Sequence, residues 1–334
     1  MTAAVLAVDG GNSKTDVALV SADGRLLATV RGGTVSHQVI GLAAGAAQLE
    51  QLIDAAHARA GLAPASGPPE LGVFCVAGAD FASDERQLRA EFARRRLAGE
   101  VIVFNDTFAA LRAGARSGWG VVLICGQGVN GAALAANGRT HRFAGIGPLS
   151  GDWGGGGALG EAALGAAIRA RDGRGSRTSL ERAVAGHFGL RTPERVMIAV
   201  YEGRMSRRRL SELAPVVFAQ AEAGDAVARA IVDRLADELA LMAVALIRRL
   251  RATRREVEVV LAGGVFTATD PVFYARLTEG VQRVAAAARL VKLDVPPVAG
   301  AALLGLDRLS PTGSADLRQA ERLRAAFAAR RGDR

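Results

Sequence analysis

The chain contains few aromatic residues and very few cysteines. Aromatic side chains make up 4% of its 334 residues while half of the residues are apolar, so its cores must be built mainly from Ala, Val and Leu. The two cysteines, Cys75 and Cys125, lie in apolar strand-like runs, which favours buried free thiols over a disulfide framework. The sequence has no CxxC pair and no histidine-rich spacing, so it carries no signature of a zinc or disulfide-redox site.

Lysine is nearly absent, although the net charge is +9. Lys14 and Lys292 are the only lysines among the 42 basic residues, and the arginines that make up the rest are mostly scattered along the chain. Because alanine and glycine are also abundant, this composition indicates a bias towards arginine codons rather than a basic binding surface. We therefore expect no nucleic-acid partner.

Long hydrophobic runs are missing too. The longest apolar stretch, residues 239–250, is too short to cross a bilayer and ends in Arg248 and Arg249. The first strand-like run begins almost at the N-terminus, without the charged region that opens a signal peptide. We therefore expect no membrane association and a cytoplasmic location.

Two similar glycine-rich turns lie about 115 residues apart and are the most informative feature of the chain. The apolar run 4–8 enters the turn DGGNSKT at 9–15, and the run 121–125 enters GQGVNG at 126–131. Each turn leads into a second apolar segment, so each is predicted to be a strand–turn–strand unit, unlike a Walker A loop, which leads into a helix. Two such turns facing each other would clamp the phosphates of a nucleotide between two related half-molecules.

The rest of the chain alternates strands and helices, which predicts α/β layers. In the first half we predict strands 3–8, 15–20, 25–30, 71–77 and 101–104, helices 42–60, 84–97 and one after 106, and a loop at 61–69. In the second half we predict strands 119–125, 129–136, 139–143, 257–262 and 289–293, a helical region to about 251, helix 298–309 and a tail helix 314–334.

The order βββαβα therefore occurs twice, with a helical insertion at about 158–251 in the second copy. A length of 334 residues also suggests two domains. We place them at 1–116 and 117–313, with helix 314–334 as a candidate to pack back on the first.

The first turn has the residue types of a phosphate-binding loop. Gly10 and Gly11 would let backbone N–H groups approach an anion and would tolerate the positive φ that such a loop needs. Asp9, at the end of the strand, could hold Mg²⁺ through water. Hydroxyl donors and a positive charge follow in the same turn: Ser13, Lys14 and Thr15. An ordinary hairpin turn is the alternative, and the second turn at Gly126-Gln127-Gly128 favours the phosphate hypothesis over it.

Several polar residues follow predicted strands. Asp106 precedes an Ala- and Leu-rich helix, where it could be an N-cap, a general base for a sugar hydroxyl, or both. His37 follows the third strand on a loop that would face the cleft. Asp152 and Trp153 interrupt the glycine-rich segment 145–157, which we expect to be an ordered ligand loop rather than regular structure or a linker.

Gly263 and Gly264 follow the strand 257–262. They could admit a flat base against the backbone or simply form a strand-to-helix turn.

In type and order, these motifs resemble those of the BadF/BadG/BcrA/BcrD ATPase family, in particular its N-acetylglucosamine kinase branch within the sugar kinase/actin/Hsp70 superfamily. The resemblance covers almost all of the chain and implies an actin-like (ribonuclease H-like) fold of two domains that close over ATP, Mg²⁺ and a sugar. It implies phosphorylation of an amino sugar, in the first place N-acetylglucosamine at its 6-hydroxyl. The segments that carry it are 9–15, 105–106, 126–130, 147–157, 261–265 and 297–302.

The resemblance also implies which residues activate the sugar, which contact the nucleotide and which contact the sugar. Asp106 would be the base that activates the sugar hydroxyl. The phosphates and adenosine would contact Gly10, Gly11, Asn12, Ser13, Lys14, Thr15, Gly126, Gln127, Gly128, Gly263 and Gly264. The sugar would contact Ser36, His37, Gly78, Asn105, Asp106, Asn130, Gly145 and Asp152. Homodimers are common in the family, so we expect a homodimer.

Three departures from the family pattern leave the sugar less determined than the kinase activity. Asn12 stands where many relatives have a third glycine, and Ile146 stands where the kinases often have a tryptophan beside the sugar. Trp153 replaces the commoner glutamate after Asp152. Glucosamine and N-acetylmuramic acid are therefore alternative substrates.

Two other functional classes compete with a kinase. One is an ATPase that drives electrons into a dehydratase through a bridging iron–sulfur cluster, but Cys75 and Cys125 lie within predicted strands and on no cluster-type loop. The other is a non-catalytic sugar sensor, although no helix-turn-helix is appended and Asp106 and both turns are intact.

Overall fold

The computed structural model describes residues 2–62 and 67–330 and contains two five-stranded sheets flanked by helices, which confirms the α/β class. Each half begins with three consecutive strands, as predicted, and continues beyond βββαβα with a further strand and helix. The predicted loop at 61–69 lies partly outside the described residues, as does the end of the predicted helix 314–334.

The first sheet has the strand order β3-β2-β1-β4-β5. Its strands are β1 Val5–Gly10, β2 Thr15–Val20, β3 Leu26–Gly32, β4 Leu71–Val76 and β5 Glu100–Asn105. β1 pairs with β2 antiparallel and with β4 parallel, and β4 pairs with β5 parallel. Parallel strands in the middle of a sheet are covered on both faces, which explains why β1 and β4 read as continuous apolar runs.

Successive residues of β1 enter the two cores on opposite faces of this sheet. Leu6 and Val8 pack in the core formed with helices α2 Leu42–Arg59 and α3 Ala82–Arg94. Val5 and Ala7 pack in the core formed with α4, α11 and α12. These three helices span Thr107–Gly114, Val298–Leu309 and Leu317–Ala329. One further short helix, α1 His37–Ile40, precedes α2.

The second sheet has the strand order β10-β9-β6-β7-β8. Its strands are β6 Gly120–Cys125, β7 Val129–Leu134, β8 Thr140–Arg142, β9 Val257–Ala262 and β10 Ala288–Lys292. The predicted helical insertion consists of α5 Gly155–Arg171, α6 Leu180–His187, α7 Pro193–Tyr201, α8 Ala214–Glu222 and α9 Ala226–Arg249. Helix α10, Pro271–Gln282, was not predicted.

The chain divides into two compact units. The first comprises Met1–Val122, Ala132–Thr140 and Val291–Arg334, and the second comprises Leu123–Gly131 and His141–Leu290. Helix α12 belongs to the first unit, where Leu323 and Phe327 share a core with Leu26 of β3. Within the described residues, no helix is both long and apolar enough to cross a bilayer.

Candidate active site

In the first unit, the carboxyl ends of three parallel strands lie at one edge of the sheet. The strand register places Gly10 opposite Val76 and Val76 opposite Asn105. Asp9 therefore lies one residue before this row, and Asp106 lies one residue after it. Such an edge is where α/β proteins place ligand-binding side chains.

The first glycine-rich turn connects β1 to β2, as predicted. It is closed by a hydrogen bond from Gly11 N–H to Lys14 O at 2.9 Å, and the side chains of Asn12, Ser13 and Lys14 are exposed. The expected positive φ is wrong, because neither Gly10 nor Gly11 adopts one. Gly10 is required by packing instead, since a Cβ there would lie 2.9 Å from Val76 Cγ1.

Thr15 does not belong to the exposed turn. It is the first residue of β2 and is fully buried, and its hydroxyl has no hydrogen-bond partner among the described residues. Buried hydroxyls normally have a partner. Thr15 is therefore compatible with the predicted contact to a bound ligand.

Three carboxyl groups, those of Asp9, Asp16 and Asp106, influence one another at this edge of the sheet. Burial, and then the negative charges of Asp106 and Asp16, raise the pKa of Asp9 to about 8, although Asp9 keeps some exposed surface. Arg31 compensates part of this charge through a bidentate pair with Asp16, with both N–O distances at 2.7 Å. The Lys14 ammonium and the Arg31 guanidinium lower the pKa of Asp9, but not enough to offset burial.

A divalent cation would fit this donor set, because its charge would favour the ionised form of Asp9, which burial in the first place and the neighbouring carboxylates in the second disfavour. Mg²⁺ is usually held by one or two carboxylates together with substrate phosphates and water. The described residues contain no group of three or more His, Cys, Asp or Glu side chains that could form a cage for a metal on its own. The fit is therefore to a metal–nucleotide complex rather than to a free ion.

Asp106 stands at the N-cap position of α4, but its side chain makes no capping hydrogen bond. The neighbouring Asn105 takes that role: its Oδ1 accepts from Thr107 N–H at 3.2 Å and from Thr107 Oγ1 at 2.7 Å. From the sequence, Asp106 could be an N-cap, a general base, or both. The structure gives the capping hydrogen bonds to Asn105.

Predicted sugar-binding residues of the first unit lie close together. A Cβ at Gly78, whose φ is +85°, would lie 3.0 Å from His37 Cε1. Ser36 is 1% exposed, and neither its hydroxyl nor His37 Nδ1 has a hydrogen-bond partner among the described residues. Thr34, which the sequence did not single out as a site residue, joins this segment to the first turn. Its hydroxyl donates to Gly11 O at 2.8 Å and accepts from Ser36 N–H at 3.0 Å.

In the second unit, the turn between β6 and β7 is bonded to the start of α5. Gly156 N–H donates to Gly126 O at 2.7 Å, and Gly157 N–H donates to Gln127 O at 2.9 Å. A Cβ at Gly155, where φ is +78°, would lie 2.5 Å from Gly128 Cα. The segment 145–157 is thus ordered, as expected, but α5 begins inside it at Gly155, although we had expected the segment to lack regular structure.

The same turn borders a cavity of about 620 Å³ within the second unit. Gly263 and Gly264 have different roles beside it. A Cβ at Gly263 would lie 2.4 Å from Cys125 O, whereas one at Gly264 would meet no atom within 4 Å. Gly264 therefore lines the cavity, and Gly263 permits the close packing of the turn. Other lining residues are Gly126, Gln127, Ser211, Phe218 and Thr267.

Predicted sugar-binding residues of the second unit lie in the loop before α5 and on β7. Gly145 has φ +66°, and a Cβ there would lie 2.3 Å from Asn130 Nδ2, so these two residues are in contact. Asp152 accepts a hydrogen bond from the Ser150 hydroxyl, and its N–H donates to Gly147 O at 3.2 Å. No hydrogen bond among the described residues joins Asp152 to Asn130.

Two of the departures from the family pattern lie in the same loop. Ile146 is 44% exposed. Trp153 packs under the guanidinium of Arg234, whose Cζ lies 3.9 Å from the ring centroid.

The cysteines are buried, as predicted. Cys75 and Cys125 are both 0% exposed, and burial raises the pKa of Cys125 to about 12. Burial, followed by the charges of Asp9 and Asp106, raises the pKa of Cys75 well above its ordinary value. Neither thiol is placed to bind a cluster shared between subunits.

Comparison with known proteins finds sugar kinases among the relatives of this chain. One relative is the N-acetylmuramic acid/N-acetylglucosamine kinase of Clostridium acetobutylicum, which is 28% identical over 78% of this chain and 85% of the relative. Another is the N-acetyl-D-glucosamine kinase of Dictyostelium discoideum, 24% identical over 90% of this chain and 97% of the relative.

Solved structures share the fold. A Chromobacterium violaceum protein assigned as an N-acetylglucosamine kinase superposes with a TM-score of 0.69 at 27% identity, over 91% of this chain and 99% of that one. A glucokinase of the ROK family from Streptomyces griseus, solved with glucose and AMPPNP, superposes with a TM-score of 0.54 at 18% identity, over 92% of this chain and 99% of that one. The profile of the BadF/BadG/BcrA/BcrD ATPase family matches residues 6–305. The chain therefore belongs to the BadF/BadG/BcrA/BcrD ATPase family.

Proposed function

We propose that this protein is an ATP-dependent amino-sugar kinase that phosphorylates N-acetylglucosamine at its 6-hydroxyl. The observation that carries the proposal is the position of Asp106 directly after β5, at the edge of the sheet where β1 ends with Asp9 and Gly10. Two relatives named as N-acetylglucosamine kinases support this substrate class.

The cavity and the two glycine-rich turns are the proposed nucleotide contacts. In the second unit, the cavity beside Gly264 would take the adenosine of ATP, and the Gly126–Gly128 turn would approach its phosphates. In the first unit, the exposed turn Gly11–Lys14 would contact the β- and γ-phosphates. Asp9 would hold Mg²⁺ through water, and the ion would neutralise charge on the transferred group.

Asp106 would act as the general base. Its carboxylate would accept the proton of the sugar 6-hydroxyl as the oxygen attacks the γ-phosphorus of ATP and the bond to the β-phosphate oxygen breaks. Ser36 and His37 would orient the sugar in the first unit, because both carry buried polar atoms without a partner among the described residues. Asn130, Gly145 and Asp152 are further proposed sugar contacts.

The test is a coupled ADP-release assay with ATP-Mg²⁺ and a panel of N-acetylglucosamine, N-acetylmuramic acid, glucosamine, N-acetylmannosamine and glucose. We expect N-acetylglucosamine to have the highest kcat/KM. Asp106→Asn should lower kcat by about 100-fold or more, as loss of a positioned base does. The matched control is Asp54→Asn, on the exposed surface of α2, which should leave kcat unchanged. A fully active Asp106→Asn variant would refute the assignment.

N-acetylmuramic acid is the second candidate substrate, because the name of the Clostridium relative includes it. Ile146, which is 44% exposed in the loop before α5, stands where the kinases of the family often have a tryptophan beside the sugar. A higher kcat/KM for N-acetylmuramic acid than for N-acetylglucosamine in the same panel would make N-acetylmuramic acid the preferred substrate. Sugar binding by calorimetry without any ADP release would instead indicate a sensor.

The proposal extends to the state of the protein in the cell. It includes a homodimer, which light scattering of the purified protein would test. It also includes a cytoplasmic location, which fractionation of the source cells would test.

A further inference from the structure

Asp80, which no sequence motif singled out, lies between the segment that carries the proposed base and the segment that carries the proposed sugar contacts. Its Oδ1 accepts a hydrogen bond from Asn105 Nδ2 at 3.1 Å, and its Oδ2 accepts from Gln38 Nε2 at 3.2 Å. Asp80 thus joins the end of β5, which leads into Asp106, to the short helix that begins at His37.

The hydrogen bond from Asn105 fixes the orientation of an amide that is 1% exposed. Because a carboxylate only accepts, the amide nitrogen of Asn105 must face Asp80 and its oxygen must face α4. That oxygen accepts from Thr107 N–H and Thr107 Oγ1, which sets where α4 begins. Asp106 is the residue between these two contacts, so its backbone position depends on them.

The second carboxylate oxygen of Asp80, Oδ2, holds Gln38 next to the proposed sugar contacts Ser36 and His37. Gln38 Nε2 also approaches Gly78 O at 3.4 Å, and Gly78 packs against His37. The backbone of Asp80 is itself held, since its N–H donates to Asp84 Oδ2 at 3.1 Å. One carboxylate therefore holds two side chains in fixed orientations from a fixed position.

We propose that Asp80 is a positioning residue, which orients Asn105 and Gln38 so that Asp106 and the Ser36–His37 segment meet the same sugar. The inference rests on the proposed kinase function. It predicts that exchanging the two hydrogen-bonding partners preserves the site, whereas changing either one alone does not.

The experiment is a double-mutant cycle of Asp80→Asn, Asn105→Asp and the double variant, with Asp54→Asn as the control. In the double variant, the new amide at position 80 can donate to the new carboxylate at position 105 and still accept from Gln38. In Asn105→Asp alone, two carboxylates face each other, which is unfavourable. The measurements are kcat, KM for sugar and for ATP, the sugar Kd by calorimetry, and Tm.

We expect Asp80→Asn to lower kcat by about 10-fold in the wild-type background, as for the loss of one charge-assisted hydrogen bond. In the Asn105→Asp background, the same substitution should raise kcat by about 10-fold or more. KM for ATP should stay within about 2-fold in all variants, because Asp80 touches no proposed nucleotide contact.

Other results would overturn the inference. Additive effects of the two substitutions on kcat would contradict the proposed coupling. Recovery of Tm in the double variant without recovery of kcat would also contradict it, because that result would indicate a structural role alone. If the wild type binds sugar without turnover, the proposed function fails separately. The sugar Kd must then show the same reversal between backgrounds, or the inference fails as well.

Discussion

The C-terminal helix α12 should stabilise the first unit through a single arginine, Arg324. This side chain is 9% exposed and donates to the carbonyls of Ala113 at 3.0 Å, Arg112 at 3.2 Å and Ala115 at 3.1 Å. These carbonyls lie at the C-terminus of α4, where the last C=O groups of a helix lack partners within it. A cation at this end also interacts favourably with the helix dipole.

Arg324→Met keeps most of the aliphatic packing and removes all three hydrogen bonds. A hydrogen bond with a charged partner contributes about 1.5–3 kcal/mol, and the three act on one helix end and will not add fully. We therefore expect a loss of about 4 kcal/mol in the free energy of unfolding of the first unit. At an m value of about 2 kcal/mol/M, the urea midpoint falls by about 2 M.

The chain allows this unit to be measured selectively. Its two tryptophans, Trp119 and Trp153, lie in different units, so Trp119 fluorescence in a Trp153→Phe background reports on the first. The control is Arg318→Met, an exposed arginine on the same helix, which should change stability by less than about 0.5 kcal/mol. A loss below about 1 kcal/mol for Arg324→Met, with m unchanged, would refute the reasoning.

Two further predictions concern the second unit. A Cβ at Gly160 of α5 would lie 1.8 Å from Leu210 O, whereas one at Gly165 would meet no atom within 4 Å. Urea unfolding should therefore show Gly160→Ala losing about 3 kcal/mol and Gly165→Ala gaining about 0.5–1 kcal/mol, and equal effects would contradict the packing. Burial would raise the pKa of Asp225, but hydrogen bonds from Ala228 N–H, Ser179 and Thr178 outweigh it and lower the pKa to about 2. The contribution of Asp225 to the free energy of unfolding is therefore complete above the unfolded pKa near 3.8 and is lost as the pH falls towards 2. Asp225→Asn should cost about 1–2 kcal/mol at pH 7 and progressively less below pH 4. Unfolding can be followed by Trp153 fluorescence. A difference that is independent of pH would contradict this shift.

The sequence predicted those features that depend on neighbouring residues. Both strand–turn–strand units, the two-fold βββ pattern and the burial of the cysteines were predicted correctly, because apolar runs and glycine-rich turns encode them locally. The positive φ expected at Gly10 was wrong, and the position requires glycine because a Cβ there would lie 2.9 Å from Val76, which is distant in sequence.

Contacts between distant segments were not predictable in the same way. Asp80 lies 25 residues before Asn105 and 42 after Gln38, and no local pattern links these three side chains. Ser211 and Phe218 line the cavity beside Gly264 because a helical insertion folds against the second sheet. The two alternatives for Asp106 depended on where the Asn105 amide points, which is a property of the packed site.

The complete burial of α4 has a consequence for hydrogen exchange. All eight of its residues, Thr107–Gly114, are buried, and Gly300 of α11 packs so closely that a Cβ there would lie 1.8 Å from Ala109 O. Amide protons in such a helix exchange through cooperative opening of the surrounding core, whereas those of the exposed Gly11–Lys14 turn exchange through local fluctuation. We therefore expect slow amide exchange in the helix that follows the proposed base and fast exchange in the turn that carries Asn12, Ser13 and Lys14.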